Sequence, residues 1–214
     1  GLPKINFLRY FFWKIFSNRI FKVTCPTNST YNYIIKKNLF KKEKLEILSD
    51  PIINMAEYRV KKRETFNDER LKNKKYLIGI GRLTKQKNFG LLINFFKKIS
   101  DLYPSLNLAI IGEGEKETEL KQLSAKFKDN QRVHFVGYQN NVFKYLLNAE
   151  CFILTSLWED PGFVLVEAAL ANLPIISSKC PNGPEEIVRD NGYLFENNDL
   201  DDLSLKFSDF LKTN

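Results

Sequence analysis

Two carboxylates, Glu159 and Glu167, stand with seven residues between them, and an Asp160-Pro161-Gly162 turn signal follows the first. Acidic side chains accept paired hydroxyl hydrogen bonds, which is what a ribose or a hexose offers. Cys151-Phe152-Ile153-Leu154-Thr155 before them reads as a buried strand, and the residues from Phe163 to Ala171 suit a helix buried on most sides. A strand–loop–helix of this kind leaves the first N–H groups of the helix, from Gly162 and Phe163 onward, aimed into a crevice where an anion can sit. In isolation the pair is equally well read as a helix-start Glu159 and a solvated Glu167.

Other chemistry-bearing residues follow earlier strands. Gly81-Arg82-Leu83 with Lys87 combines a planar guanidinium fork and a mobile point charge, a pairing suited to a diphosphate. Gly112-Glu113-Gly114 offers glycines that let a nucleotide approach the backbone. Gly137-Tyr138 ends a third strand. The run from Gly112 resembles a dinucleotide fingerprint superficially, but Glu117 stands where its last glycine should be and no acidic residue closes the next strand, so NAD binding is rejected. There is no GxxxxGK[ST] loop, which excludes an ATP-hydrolysing P-loop. Asp199-Leu200-Asp201 spells DxD, yet its place before Leu203, Leu205 and Phe207 makes it a helix N-cap. His134 is the only histidine, so a His-based metal site cannot be built, and no metal is expected. Cys25, Cys151 and Cys180 are widely spaced and read as reduced thiols of a cytoplasmic protein.

The elements that position these residues form a regular series. Strands are expected at Tyr76–Ile80, Leu106–Ile111, Val133–Val136, Cys151–Thr155, Pro174–Ser177 and Tyr193–Phe195. Helices are expected at Phe89–Ile99, Glu115–Phe127 and Val142–Leu147, and from Phe163, Pro184 and Leu200. Alternation with short connections predicts an α/β fold, a Rossmann-like parallel sheet with helices on both faces. Leu154, Ile110, Val136 and Ile176 should lie in its core. Ligands of such sheets bind outside the carboxyl ends of the strands, where the glycines, Arg82 and Glu159 fall.

The N-terminal part differs in charge: residues 1–75 carry 18 Lys and Arg against 7 Asp and Glu, the remainder 15 against 18. Residues 4–22 contain Lys4, Arg9, Lys14, Arg19 and Lys22, no acid and many aromatics. They read as a basic helix for an anionic membrane surface, or as a helix whose aromatic side packs on a domain this chain lacks. No nucleic-acid-binding motif accompanies the charge. Short strands at Phe21–Cys25 and Leu45–Leu48 flank a helix over Tyr31–Lys37 capped by Thr27 or Ser29, and residues 61–75 read as a solvated helix and loop. The chain begins with Gly, and a fragment of a longer protein is expected.

The order GRLTKQKN, IIGEGEKETEL, VHFVGYQNNV, CFILTSLWEDPGFVLVEA, LPIISS, NGPEEI and NGYLF resembles the C-terminal half of the group 1, family 4-type retaining glycosyltransferases of GT-B fold, over about residues 76–210. The resemblance implies that residues 1–52 are the end of an N-terminal acceptor-binding domain and the interdomain linker, and 53–214 the donor-binding domain. It implies a nucleotide-diphosphate sugar as donor, UDP first with GDP and ADP as alternatives, and no separate cofactor. Transfer of a hexosyl group would be onto a glycan or lipid-linked acceptor in cell-surface polysaccharide or lipopolysaccharide synthesis, at the cytoplasmic membrane face. Arg82 and Lys87 would hold the diphosphate, Glu167 the ribose and Glu159 the sugar, with Glu159, Arg82 and Lys87 as the catalytic set. The N–H groups of Gly162 and Phe163 would assist, Gly81 would border the diphosphate, and Gly112, Gly114, Gly137 and Tyr138 would border the base. Pro161 replaces the aromatic residue of the usual Glu-Gly-Phe-Gly, which alters the sugar pocket. The chain alone is expected to bind donor weakly and transfer little. A binding module without catalysis and a nicotinamide-dependent oxidoreductase are the competing readings.

Overall fold

The computed structural model describes residues 7–51, 53–189 and 191–213. Of the expected basic helix over 4–22, residues 4–6, with Lys4, lie outside them. The first unit comprises α1 (Phe7–Phe16), β1 (Val23–Cys25), α2 (Asn28–Lys36) and β2 (Leu45–Ile47). Strands β1 and β2 pair in parallel, with Val23 opposite Leu45. Between the two candidate caps of α2 the structure selects Thr27, whose Oγ1 accepts from the Thr30 N–H at 3.0 Å. Cys25, Ile34, Leu39, Phe40 and Leu45 form a small core under this unit.

The second unit runs α3 (Met55–Lys61), β3 (Lys75–Ile80), α4 (Phe89–Ser100), β4 (Leu106–Ile111), α5 (Glu117–Ser124), β5 (Val133–Gly137), α6 (Phe143–Leu146) and β6 (Cys151–Leu154). It continues with α7 (Phe163–Leu170), β7 (Ile175–Ser178), α8 (Pro184–Val188), β8 (Tyr193–Phe195) and α9 (Leu200–Thr213). Among the described residues its strands make one six-stranded sheet in the order β5-β4-β3-β6-β7-β8. Every neighbouring pair is parallel.

Strand side chains alternate between two cores, as a pleat of period two requires. Leu77, Leu108, Ile110, Ile153 and Ile176 face a core with Phe95 and Phe96 of α4 and Phe207 of α9. Tyr76, Ile78, Ile111, Phe152 and Leu154 face the opposite core, with Tyr145 of α6 and Leu165 of α7. Phe95, Phe96, Phe152 and Phe207 are among the largest fully sealed side chains, each contributing on the order of 1.5–3 kcal/mol of burial. The expected core residues are all buried, Ile110 and Ile176 on one face, Val136 and Leu154 on the other.

One stretch differs from expectation. The helix placed within 61–75 lies earlier, at Met55–Lys61, where the Asn54 side chain accepts from the N–H groups of Ala56 and Glu57. The residues that follow are mostly exposed, as expected, but two are anchored: Leu71 is 1% exposed, and Phe66 meets the Tyr145 ring edge-on at 5.3 Å. Asp68 binds Arg70 at 2.6 Å and accepts from the Tyr145 hydroxyl at 3.1 Å. The apolar residues here are too sparse to show a period, yet Phe66 and Leu71 join the core on the second face of the sheet. At the other end, the Asp199 carboxylate accepts from the N–H groups of Asp201 and Asp202 at 2.9 Å each, the N-cap role expected of it.

Candidate functional site

Strand order reverses direction between β3 and β6, so the connections leaving their carboxyl ends part to opposite faces and open a crevice. The turns around that crevice are joined by backbone hydrogen bonds. Gly81 N–H donates to the Ile111 carbonyl, Leu83 N–H to Glu113 and Gly112 N–H to Gly137, each at 2.9 Å. Leu157 N–H donates to Gln86 at 2.8 Å, and Glu159 N–H to Pro181 at 3.0 Å. The β3 and β4 turns approach so closely that a Cβ on Gly112 would lie 2.0 Å from the Gly81 carbonyl oxygen, at a φ of +130°. Gly112→Ala is therefore expected to cost at least about 3 kcal/mol, from overlap and backbone strain together, read as a lower midpoint in urea unfolding. An unchanged midpoint would mean that the two turns can separate freely.

The charged centre lies across the crevice. Lys87, in the loop from β3 to α4, places Nζ 2.6 Å from Glu159 Oε1, in the loop from β6 to α7. The side chains are 14% and 4% exposed, so this is a sheltered ion pair between residues 72 positions apart. The stem of Lys87 lies over Gly81, where an added Cβ would meet Lys87 Cε at 3.1 Å. Thr155 Oγ1 donates to the carbonyls of Lys87 and Asn88, both at 3.1 Å, and holds the loop. Ser156 Oγ also donates to Glu159 Oε1. Arg82 is exposed at the end of β3, and among the described residues its guanidinium has no hydrogen-bond or ion-pair partner.

Gly162 takes a φ of +91° and sits against the Glu159 side chain; a Cβ there would lie 3.2 Å from Glu159 Cγ. It begins α7 without any side-chain cap, which leaves the first N–H groups of that helix open. Phe163 is exposed beside it. Glu167, one turn further along α7, is partly buried; burial pushes its carboxyl up, against the opposing charge of Lys61. No described hydrogen bond links Glu167 to Glu159. Gly137 has a φ of +83°, and the exposed Tyr138 donates its N–H to Glu113 Oε1 at 3.3 Å. Gly114 is required by packing, since a Cβ there would lie 2.5 Å from the Leu83 carbonyl oxygen.

Ser156 and Ser178 were outside the expected set. Both are fully buried, and Ser178 Oγ donates to the Ser156 carbonyl at 2.7 Å. Their signal was hydroxyls at the carboxyl ends of buried strands, where each must find a partner. Glu186 of α8 was unexpected too. Its carboxylate accepts from the N–H groups of Asn28 (2.9 Å) and Ser29 (2.8 Å) and from the Asn28 amide (3.0 Å), capping α2 of the first unit. Burial pushes the Glu186 carboxyl up, but those donors and Arg189 outweigh it and bring it below the ordinary value. A lowered carboxyl contributes stability above its unfolded value that is lost as pH falls through the folded one. The stability advantage of the unaltered chain over Glu186→Gln should thus be full near neutrality and be lost as pH falls through the lowered carboxyl value, in melting curves across pH. A pH-independent difference would deny the carboxylate its capping role.

Residues 61–214 match the sequence profile of the family described as Glycosyl transferases group 1. The chain belongs to this family. This group 1 glycosyltransferase is 36% identical over 154 residues to an uncharacterized glycosyltransferase of Methanocaldococcus jannaschii, a match covering 72% of the chain and 36% of the relative. It is 29% identical over 119 residues to the N-acetylgalactosamine-N,N'-diacetylbacillosaminyl-diphospho-undecaprenol 4-alpha-N-acetylgalactosaminyltransferase of Campylobacter jejuni, covering 56% of the chain and 32% of that protein. The crystal structure of Anabaena HepE in complex with UDP and glucose superposes with a TM-score of 0.75 at 17% identity, over 95% of this chain and 58% of that one. That likeness is one of fold, the α/β architecture of GT-B glycosyltransferases. The chain spans about a third of the length of the curated relatives it matches. Among the described residues no helix is long and apolar enough to cross a membrane.

Proposed function

We propose that residues 53–214 are the donor-binding domain of a retaining hexosyltransferase of family 4 type, and residues 1–52 the end of its acceptor-binding domain and the linker. The donor is a nucleotide-diphosphate sugar, with UDP as the nucleotide, and the acceptor a glycan or lipid-linked sugar. The observation that carries this reading is the sheltered Lys87–Glu159 pair at the reversal of strand order, beside the uncapped start of α7 and Arg82, unpartnered among the described residues. The base follows from HepE, solved with UDP, and the acceptor class from the Campylobacter relative, named for a diphospho-undecaprenol-linked substrate.

In this reading Arg82, Lys87 and the first N–H groups of α7, at Gly162 and Phe163, hold the diphosphate. As the bond from the anomeric carbon to the phosphate oxygen breaks, its electron pair stays on that oxygen, and fixed positive charge stabilises it without reorganisation. The acceptor hydroxyl attacks from the face the diphosphate leaves and gives its proton to the departing phosphate oxygen, so configuration is retained. Glu159 accepts hydroxyls of the sugar and Glu167 those of the ribose, while Gly112, Gly114, Gly137 and Tyr138 border the base. Calorimetric titration with UDP, GDP and ADP tests the reading. UDP alone should bind; silence from all three at millimolar concentration would overturn it.

Helix α1 adds a surface to this proposal. None of its residues is buried, and Phe7, Leu8, Phe11, Phe12, Ile15 and Phe16 are exposed beside Arg9 and Lys14. Its apolar side suits the acceptor-binding domain and its cations an anionic membrane face. Vesicles of phosphatidylglycerol should retain the chain and release it in high salt, whereas phosphatidylcholine vesicles should not; equal retention by both would remove the electrostatic part.

A further inference from the structure

Glu159 is almost sealed, at 3% exposure, yet its two oxygens are in different situations. Both described donors to the side chain, Lys87 Nζ and Ser156 Oγ, converge on Oε1. Oε2 has no described partner. Thr84 Oγ1 is the only side-chain polar atom among the described residues that is sealed from solvent and unpartnered, and Oε2 is not in that state. Ser156 is itself held: it is fully buried at the end of β6, and the Ser178 hydroxyl binds its carbonyl. The Glu159 backbone is tied to Pro181 in the next loop.

We propose that Ser156 is a positioning residue that, with Lys87, occupies Oε1 so that Oε2 alone is presented to the hydroxyls of the donor sugar. This rests on the assignment of Glu159 to the transferred sugar and goes beyond it by dividing the carboxylate between a structural oxygen and a recognising one. Two occupants on Oε1 are needed because a diphosphate competes for Lys87. When the ammonium turns toward phosphate, the Ser156 hydroxyl is the donor that still holds the carboxylate. A serine that merely filled space in the strand would make no distinction between ligands with and without a sugar.

The test is calorimetric titration of the whole chain with UDP, UDP-glucose, UDP-galactose and UDP-N-acetylglucosamine, for the unaltered protein, Ser156→Ala, Ser156→Thr and Glu159→Gln. The unaltered chain should bind one UDP-sugar more tightly than UDP. Ser156→Ala should keep its UDP affinity within about twofold and lose roughly tenfold or more toward that UDP-sugar, the loss expected for a hydrogen bond to a charged group. Ser156→Thr, which keeps the hydroxyl, should restore the preference. Glu159→Gln should abolish it. Equal weakening toward UDP and the UDP-sugar in Ser156→Ala would make the residue structural and overturn the inference, as would no effect on either. Failure of the donor-site reading has a different signature: the unaltered chain would bind none of the four ligands, or Glu159→Gln would keep the full preference.

Discussion

Lys87→Ala is expected to melt roughly 6–12 °C below the unaltered chain, from a loss of about 3 kcal/mol at 2–4 °C per kcal/mol for a chain of this size. Bringing the two charges out of water is costly, and Lys87 and Glu159 offset that cost only by meeting at 2.6 Å. Without the ammonium, Glu159 keeps one serine hydroxyl and its backbone tie to Pro181, in a side chain that is 4% exposed. The lower end of the usual range for breaking a buried pair applies because Lys87 retains 14% exposure and water can reach its side. The double variant Lys87→Met with Glu159→Gln removes both charges and should recover most of the loss. If single and double variants melt together, the damage comes from lost packing over Gly81 and not from a stranded carboxylate.

Arg82→Ala should show the opposite profile. Its guanidinium is exposed and unpartnered among the described residues, so stability should change by no more than about 0.5 kcal/mol. UDP affinity should nevertheless fall by roughly 10–100-fold, since charge-assisted bonds from a planar fork to a diphosphate contribute about 1.5–3 kcal/mol. Titration calorimetry and a melting curve on the same sample decide it. Unchanged affinity would take Arg82 out of the donor site and leave Lys87 and the start of α7 as the only anion-binding groups. Comparing the two variants separates a residue that builds the site from one kept ready for a ligand.

Much of this architecture was legible residue by residue. The alternation of β3, β4 and β6 between the two faces is a property of strand backbone, and each strand was found within about a residue or two of its expected bounds. Asp199, and Thr27 as one of two candidates with Ser29, were readable as caps because a short polar side chain before a helix satisfies N–H groups within three residues. The turn before α7 was also legible from neighbours in sequence, since Asp160-Pro161-Gly162 breaks the strand pattern and the helix follows at Phe163. The stretch after α3 was not legible, because Phe66 and Leu71 follow no period and are recruited by rings and surfaces contributed from far along the chain.

The sequence by itself determined the strands, the helices of the second unit from α4 onward, their parallel alternation and the family to which the motifs belong. Tertiary structure decided which charges meet. Lys87 reaches Glu159 because β3 and β6 are neighbours in the sheet although two strands separate them in the chain, and nothing local to either residue states that order. The sharing of Oε1 between Lys87 and Ser156, and the docking of Glu186 on α2 across 158 positions, arise in the same way. Periodicity and capping are encoded within a few residues because they satisfy the backbone locally. Partnerships between distant side chains are settled only when strand order and the two cores bring their loops together at the carboxyl ends of the strands.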